Sequence, residues 1–123
     1  MKRVLSVGQC SADHWSIRHL LEGDFQVEVV AAHSAADALA QLRAGKFDLV
    51  LVNRVLDADG SAGLPIIQAI KADDALSDVP VMLVTNFREH QEQAVAAGAE
   101  PGFGKAELNS ASVREALRGY LGS

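Results

Sequence analysis

The chain has 123 residues, which suits one domain, and 49% of them are apolar, which is enough for a hydrophobic core. Its formal charge is −5, with 11 basic against 16 acidic residues and no cluster of Lys and Arg, so the composition argues against nucleic-acid binding. A single cysteine, Cys10, excludes an internal disulfide and fits a reducing compartment. The first residues are typical of a strand rather than a signal peptide, and no apolar run approaches the roughly 20 residues that span a membrane. We therefore expect one soluble, cytoplasmic domain over residues 1–123.

The chain begins with two strand–helix pairs. Residues 4–7 form a short, largely apolar run that a glycine closes, which predicts a buried strand. A helix follows, with Ser11 as its expected N-cap and Gly23 at its end. Residues 27–30 predict a second strand, and residues 34–45 predict a second helix that begins at a serine cap and ends at a glycine.

The third pair is the most apolar part of the chain. Residues 49–52 are Leu-Val-Leu-Val, and a strand that is apolar on both faces is typical of the middle of a covered sheet. Residues 64–70 supply the apolar face of a third helix, with a proline tolerated in the first turn.

The last two pairs are more weakly marked. Residues 81–84 predict a fourth strand, and a weak helix is expected from about residue 89 to residue 97. Phe103 marks a short fifth strand, and Asn109 or Ser110 caps the last helix.

This order is strand then helix, repeated five times with short connections. Such alternation implies a parallel sheet with helices on both faces and right-handed crossovers. In open sheets of this kind, ligands bind at the carboxyl ends of the strands. The residues to examine therefore follow the strands directly, and they are Gly8, Gln9, Cys10, Asn53, Thr85, Asn86 and Lys105.

The chain resembles the receiver domain of bacterial response regulators over essentially its whole length. Besides the order of elements, three segments carry the resemblance: FDLVLVN, VPVMLVT and AAGAEPGFGK. At these places the family has a strand ending in the phospho-accepting Asp, a strand ending in Thr or Ser, and a Gly-Ala pair followed by Lys. The resemblance implies an α/β, flavodoxin-like (βα)5 sandwich of three layers, whose five-stranded parallel sheet has the order 2-1-3-4-5.

The family's chemistry needs residues that this chain has lost. In the family, two carboxylates after strand 1 and the acceptor Asp hold Mg²⁺, while the Thr hydroxyl and the Lys bind the phosphoryl oxygens. Thr85 and Lys105 are kept, but the acidic pair is replaced by Gly8 and Gln9, and the acceptor is replaced by Asn53. Mg²⁺ requires hard, charged oxygen ligands, and an amide is a very poor phosphoryl acceptor. We expect no metal site, no cofactor and no catalytic role.

The family's switch is altered as well. The aromatic residue three positions before the Lys is Gly102 here, and Phe103 is displaced by one. Without a phosphoryl group no ligand distinguishes two states, so the switch has no driver. The chain is therefore interpreted as a degenerate receiver, or pseudo-receiver. It would bind signalling proteins independently of phosphorylation, as a monomer or weak dimer, through candidate interface residues Trp15, Phe103 and Tyr120.

Lys105 is left without a phosphate to bind. We expect its ammonium group to contact Asn53 Oδ1 or an acid in the loop after the third strand. That loop contains Asp57 and Asp59, in the run Asp-Ala-Asp-Gly, which is typical of a solvated turn.

Two alternatives stay open. The first is a receiver that is phosphorylated at Asp57 or Asp59 with an unusual set of metal ligands. The second is a small-molecule or redox sensor that uses the strand-end crevice and Cys10, since a helix N-terminus lowers a thiol pKa. The four histidines show no metal-binding spacing.

Overall fold

The computed structural model describes residues 1–122. Five strands alternate with five helices, and a single 3₁₀ turn covers Lys105–Glu107. The strands are β1 (Lys2–Val7), β2 (Val27–Ala32), β3 (Leu49–Asn53), β4 (Val81–Val84) and β5 (Glu100–Phe103). The helices are α1 (Ser11–Asp24), α2 (Ala35–Ala44), α3 (Leu64–Ala72), α4 (Arg88–Ala96) and α5 (Ala111–Leu121).

The strands form one parallel sheet in the order β2-β1-β3-β4-β5, which confirms the predicted flavodoxin-like topology. The chain reverses its direction of travel across the sheet between β1 and β3. Ligand crevices in open α/β sheets lie beside such a reversal, at the carboxyl ends of the strands.

The core has two layers, one on each face of the sheet. The first lies under α2, α3 and α4, and the second lies under α1 and α5. β3 contributes to both, because Val50 and Val52 face the first layer while Leu49 and Leu51 face the second. This confirms the expectation of a central strand that is covered on both sides.

The helix caps show where sequence patterns were sufficient and where they were not. Ser34, the predicted cap of α2, and Ser110, one of the two candidate caps of α5, each accept a hydrogen bond from the backbone N–H three residues on. The prediction for α1 was wrong by one residue, because Cys10 is the N-cap and Ser11 is the first helical residue. The Cys10 sulfur accepts from the Asp13 N–H at 3.4 Å. A thiol seldom caps a helix, so the preference for serine pointed to the neighbouring position.

The pairing of β5 with β4 is irregular. Met82 lies opposite Glu100, and Val84 lies opposite Phe103. Between these two pairs β5 advances by three residues while β4 advances by two. One extra residue in a strand is a β-bulge, which re-aims the side chains that follow it. None of the helices within residues 1–122 is long and apolar enough to cross a membrane.

Candidate functional site

The ends of β3, β4 and β5 surround a crevice of about 260 Å³, which we call the strand-end crevice. The side chains of interest in its lining are Asn53, Arg54, Thr85, Asn86, Phe87 and Lys105. Gly8 and Gln9 are not part of the lining. The structure therefore brings three of the predicted positions (53, 85 and 105) to one crevice, and the two positions after β1 lie outside its lining.

Asn53 is tied to the loop after β1. Its side-chain nitrogen Nδ2 donates a hydrogen bond to the Gly8 carbonyl oxygen at 3.1 Å. The same oxygen accepts the backbone N–H of Asp57 at 2.9 Å. A carboxylate has no proton to donate, so an ionised Asp at position 53 would turn its oxygens toward a carbonyl oxygen. The amide therefore makes a contact here that an ionised carboxylate cannot make.

Gly8 occupies a position that only glycine fits. Its φ is +74°, in the left-handed region, and a Cβ built on it would lie 2.5 Å from Leu56 Cγ. Leu56 is 1% exposed and belongs to the core, so it has little freedom to move. A carboxylate at position 8 is disfavoured twice, by backbone conformation and by the space that Leu56 fills.

Gln9 is buried as well, at 5% exposure. Neither its Oε1 nor its Nε2 has a hydrogen-bond partner among residues 1–122. A carboxylate in such a place would be more costly than an amide, because burying an unpaired charge costs more than burying a neutral polar group.

The residues present do not fit the family's Mg²⁺ ion. Positions 8, 9 and 53 offer no carboxylate, and Leu56 packs where a side chain at position 8 would extend. Within the described chain, no three His, Cys, Asp or Glu side chains lie close enough to hold a metal ion.

The two acids of the loop after β3, Asp57 and Asp59, are exposed, and Asp59 stabilises the turn. Asp59 Oδ1 accepts from the Ser61 backbone N–H at 2.9 Å and from the Ser61 hydroxyl at 2.6 Å. These hydrogen bonds, the hydroxyl's first, lower the pKa of Asp59 below its usual value. The arrangement is the side-chain turn motif that the Asp-Ala-Asp-Gly run indicated.

Lys105 does not contact Asn53 or the loop acids, so the expectation for its partner was wrong. Its Nζ lies 2.7 Å from Asp13 Oδ2, in the first turn of α1. The hydrogen bond from Lys105 holds the pKa of Asp13 below its ordinary value, against the opposing effect of partial burial. Asp13 was not singled out from the sequence, and its place in the first turn of the helix that follows β1 was the available signal.

Thr85 is fixed at the bottom of the strand-end crevice. It is buried, its N–H donates to the Phe103 carbonyl at 3.0 Å, and its hydroxyl oxygen accepts from the Phe87 N–H at 3.2 Å. The hydroxyl proton remains available to a further acceptor, because a hydroxyl both donates and accepts.

Position 102, where the resemblance places the family's switch aromatic, has no room for a side chain. A Cβ on Gly102 would collide with the Leu83 carbonyl oxygen and approach Gln91 Oε1 to 3.1 Å. Gln91, on α4, joins both strands here. Its Nε2 donates to the Leu83 carbonyl at 2.8 Å and to the Thr85 carbonyl at 3.3 Å, and its Oε1 accepts the Gly102 N–H at 3.0 Å. The side chain of Gln91 thus fastens α4 to β4 and β5.

The β5 bulge explains the displaced aromatic. The extra residue turns Phe103 inward, where it is 5% exposed and packs in the layer of α1 and α5. Phe103 is therefore a core residue, and its proposed place in an interface is corrected. The expectation was carried over from the resemblance to the family, and it did not allow for the bulge.

The other candidate interface residues lie on separate helices. Trp15 on α1 is 63% exposed, and its ring stacks on the His19 ring with 4.8 Å between centroids and 6° between planes. Tyr120 on α5 is half-buried, and burial raises the pKa of its hydroxyl. Of the three, Trp15 offers the most accessible surface.

The sequence of this chain is similar to those of known proteins. The family model described as "Response regulator receiver domain" matches residues 13–117. The match begins after β1, so Gly8 and Gln9 lie outside it. The chemotaxis protein CheY of Pseudomonas aeruginosa strain PAO1 is 27% identical over 97 residues, which are 79% of this chain and 77% of that protein.

Solved structures share the fold across nearly the whole chain. The signal receiver domain of a DNA binding response regulator protein (merR) from Colwellia psychrerythraea 34H has a TM-score of 0.82 at 24% identity, with 97% of each chain covered. Vibrio cholerae CheY4 has a TM-score of 0.80 at 21% identity, covering 98% of this chain and 99% of that one. A response regulator from Thermotoga maritima has 0.79 at 23% identity, covering 100% and 99%.

Proposed function

Because this chain belongs to the response regulator receiver domain family, we propose that it acts in the bacterial cytoplasm as a pseudo-receiver, a single-domain signalling module that binds a protein partner independently of phosphorylation. Membership of the family supports the signalling role, and the residues that follow β1 and β3 argue against phosphoryl transfer. Both parts can be tested separately.

The observation that carries the proposal is the hydrogen bond from Asn53 Nδ2 to the Gly8 carbonyl. The residue at the acceptor position uses its N–H₂ group, which an acceptor Asp lacks, to join β3 to the loop after β1. A phosphoryl acceptor must be a nucleophile, and an amide nitrogen engaged as a donor is not one. Residue 53 therefore has a structural role, the contact with Gly8, and its side chain is not suited to accept a phosphoryl group.

The loop after β1 supports the same conclusion. Leu56 fills the space beside Gly8, and the left-handed backbone at Gly8 disfavours any residue with a Cβ. The absence of a metal ligand at position 8 is therefore enforced by the packing of Leu56 and by the backbone conformation of Gly8.

The region of the family's output switch supports independence from phosphorylation. Gln91 holds α4 to β4 and β5 through three hydrogen bonds, and Phe103 is buried. With α4 fastened in this way, the surface presented to a partner is expected to be constant. We propose Trp15, the exposed aromatic residue of α1, as the anchor for that partner.

The test has two arms. In the first, the protein is incubated with Mg²⁺ and a small-molecule phosphodonor such as acetyl phosphate, and its intact mass is measured beside that of a functional receiver. The proposal expects no added phosphoryl group on this chain and a full addition on the control. A stoichiometric addition would overturn it, and mapping the modified residue would show whether Asp57 or Asp59 is the acceptor.

The second arm concerns the partner. A protein captured by the unmodified chain should bind with the same affinity whether or not the phosphodonor is present. Trp15→Ala should weaken that affinity, whereas Val95→Ala, a change at another exposed apolar residue, should not. An affinity that depends on the phosphodonor would contradict the proposal.

A further inference from the structure

Two exposed apolar side chains lie near each other, one after β3 and one at the start of α4. Phe87 is 54% exposed and Val55 is 39% exposed. Arg54 links them, because it precedes Val55 in the chain and its guanidinium carbon lies 5.5 Å from the centre of the Phe87 ring. The His90 ring meets the Phe87 ring edge to face, with 5.9 Å between centroids. Exposed apolar residues that are scattered singly are ordinary, but a contiguous group rimmed by polar side chains is typical of an interaction site.

A hollow of about 230 Å³ lies beside this group, between α4 and the loop after β3. Its lining includes Val55, Leu64 and Leu83, of which the last two belong to or pack against the core layer under α3 and α4. The hollow is distinct from the strand-end crevice, because neither Thr85 nor Lys105 lines it. We call the exposed group and the hollow together the Phe87 surface, which comprises Arg54, Val55, Leu64, Leu83, Phe87 and His90.

The loop after β3 holds its side of the hollow in place. Val55 pairs with Ala62 in an antiparallel bridge, and the Gly63 N–H donates to the Arg54 carbonyl at 2.8 Å. Leu56, within this small hairpin, is buried in the core, so the hairpin cannot lift away without exposing it. A surface that is formed before binding loses less conformational entropy when a partner docks.

The Phe87 surface carries positive charge, whereas the chain as a whole has a net charge of −5. Arg54 forms no salt bridge within residues 1–122, and no Asp or Glu lines the hollow. Glu89 and Glu92, the acids of α4, lie outside the lining. A half-buried guanidinium without a counter-ion favours a carboxylate and disfavours a basic partner.

The volume of the hollow indicates what kind of molecule fits it. Pockets that enclose small-molecule ligands measure about 300–1,000 Å³. At about 230 Å³, this hollow suits a single large apolar side chain of another protein better than a whole small molecule. Aromatic and arginine side chains are also the residues that most often anchor protein–protein contacts, and Phe87 and Arg54 are of these types.

We propose that the Phe87 surface docks a short segment of a partner protein in which a large apolar side chain stands next to an Asp or Glu. The apolar side chain enters the hollow, and the carboxylate pairs with Arg54. This inference goes beyond the proposed function, because it adds a second surface and specifies the chemistry of its ligand. The two surfaces are separate, since α1, which carries Trp15, and α4 lie on opposite faces of the sheet.

The experiment is an NMR titration of the intact protein with short synthetic peptides, followed through its backbone amide signals. Acetylated and amidated Gly-Glu-Leu-Asp-Gly and Gly-Glu-Phe-Asp-Gly carry the required chemistry without terminal charges. Gly-Lys-Phe-Lys-Gly reverses the charge, and Gly-Glu-Ala-Asp-Gly removes the large apolar side chain. We expect saturable shifts around Val55, Phe87 and His90 with at least one of the first two peptides, and no saturable shifts with the other two.

Two variants, each with a matched control, test the residues. Arg54→Gln should weaken binding by about tenfold or more, the loss expected when an interface anchor is removed. Its control is Arg88→Gln, since Arg88 is an exposed arginine beside Phe87 that does not line the hollow. Phe87→Ala should weaken binding by a similar factor, and the side chain makes no capping hydrogen bond whose loss would disturb α4. Its control, Trp15→Ala, should bind as the parent does.

Several outcomes would overturn the proposal. They are absence of binding by both acidic apolar peptides, equally tight binding of the lysine peptide, and equal losses in Arg54→Gln and Arg88→Gln. A loss in Trp15→Ala that Phe87→Ala does not show would do the same. None of these results bears on the intact-mass test, so failure here leaves the pseudo-receiver proposal standing. A phosphoryl group added in that test would overturn the pseudo-receiver proposal and leave the Phe87 surface in place.

Discussion

The side chain of Asn53 and the backbone of Gly8 join the tip of β3 to the loop after β1, with 3.1 Å between Nδ2 and the carbonyl oxygen. The contact connects two positions that we propose to correspond to the family's acceptor and one of its metal ligands. In this chain the same two positions support each other directly, and the donor proton on nitrogen is what makes the contact favourable.

Replacing Asn53 by Asp should destabilise the protein. The carboxylate cannot donate to the Gly8 carbonyl, so the free energy of unfolding at pH 7 should fall by about 1–3 kcal/mol, the cost of leaving a partly buried polar contact unmade. Urea denaturation of the two proteins measures the difference. Lowering the pH should reduce it, because a protonated carboxyl regains a donor.

Asn53→Ala is the matched control for this change, since it removes the hydrogen bond without adding a charge. It should be less destabilising than Asn53→Asp at pH 7. If Asn53→Asp were as stable as the parent and also gained a phosphoryl group with Mg²⁺, the structural role of the amide would be refuted.

Gly8→Ala should cost more than Gly60→Ala. Both glycines have φ near +70°, at +74° and +72°, so alanine at either position suffers the left-handed backbone penalty of about 1–2 kcal/mol. Only Gly8 has a neighbour in the way, Leu56, whereas nothing lies within 4 Å of a Cβ at Gly60. Gly8→Ala should lose roughly a further 1–3 kcal/mol from overpacking.

Chemical denaturation of these two variants separates backbone strain from packing. Leu56→Ala introduced with Gly8→Ala should recover part of the packing loss, although it also leaves a cavity. Equal destabilisation of Gly8→Ala and Gly60→Ala would mean that Leu56 yields easily to a side chain at position 8.

Gln91→Ala should loosen α4 from the sheet edge. It removes the donor to two carbonyls and the acceptor of the Gly102 N–H, so unfolding free energy should fall by about 1–3 kcal/mol. Hydrogen exchange at the Gly102 amide should become faster, because that amide loses its acceptor. Gln93→Ala changes an exposed glutamine on the same helix and should leave both quantities nearly unchanged.

The Asp13–Lys105 pair should make a small contribution with a defined pH dependence. The pKa of Asp13 is lowered from 3.8 chiefly by the hydrogen bond from Lys105, so the pair stabilises the fold above that pH and loses its effect as the pH falls through the lower, folded value. Asp13→Asn should cost about 0.2–1 kcal/mol at pH 7, because the side chains are over 30% exposed and solvent screens the pair. Denaturation at pH 7 and pH 3 would show whether the difference shrinks.

His14 should make the fold less stable in mild acid. Burial lowers its pKa from 6.5, with the charge of Arg18 adding to the effect, and its Nδ1 has no partner within residues 1–122. The unfolded chain therefore takes up a proton first as the pH falls below about 6.5, and stability declines from there. His14→Gln should flatten the change in unfolding free energy between pH 7 and pH 5. An unchanged slope would show that other groups govern it.

The layered α/β topology could be predicted because apolar runs and helix caps repeat along the chain. Leu49 to Val52 indicated a strand covered on both faces, and Ser34 and Ser110 indicated helix starts. These signals are local, so residues a few positions apart were sufficient.

The site was less predictable because its contacts join residues far apart in sequence. Lys105 meets Asp13 across 92 positions, and Asn53 meets Gly8 across 45. The β5 bulge is a further case, since the inward turn of Phe103 depends on pairing with β4 that no local pattern records. The motif positions showed that carboxylates are absent at residues 8, 9 and 53, but only the structure showed that Leu56 packs against Gly8.

The packing at Gly8 also bears on how this chain could change over generations. A lineage that gained an acid at position 8 would first lose stability, since Leu56 and the backbone both oppose it. Gaining an Asp at position 53 would break the contact with Gly8. Each change is expected to be harmful while the other residues stay as they are, so placing carboxylates at both positions requires several simultaneous substitutions.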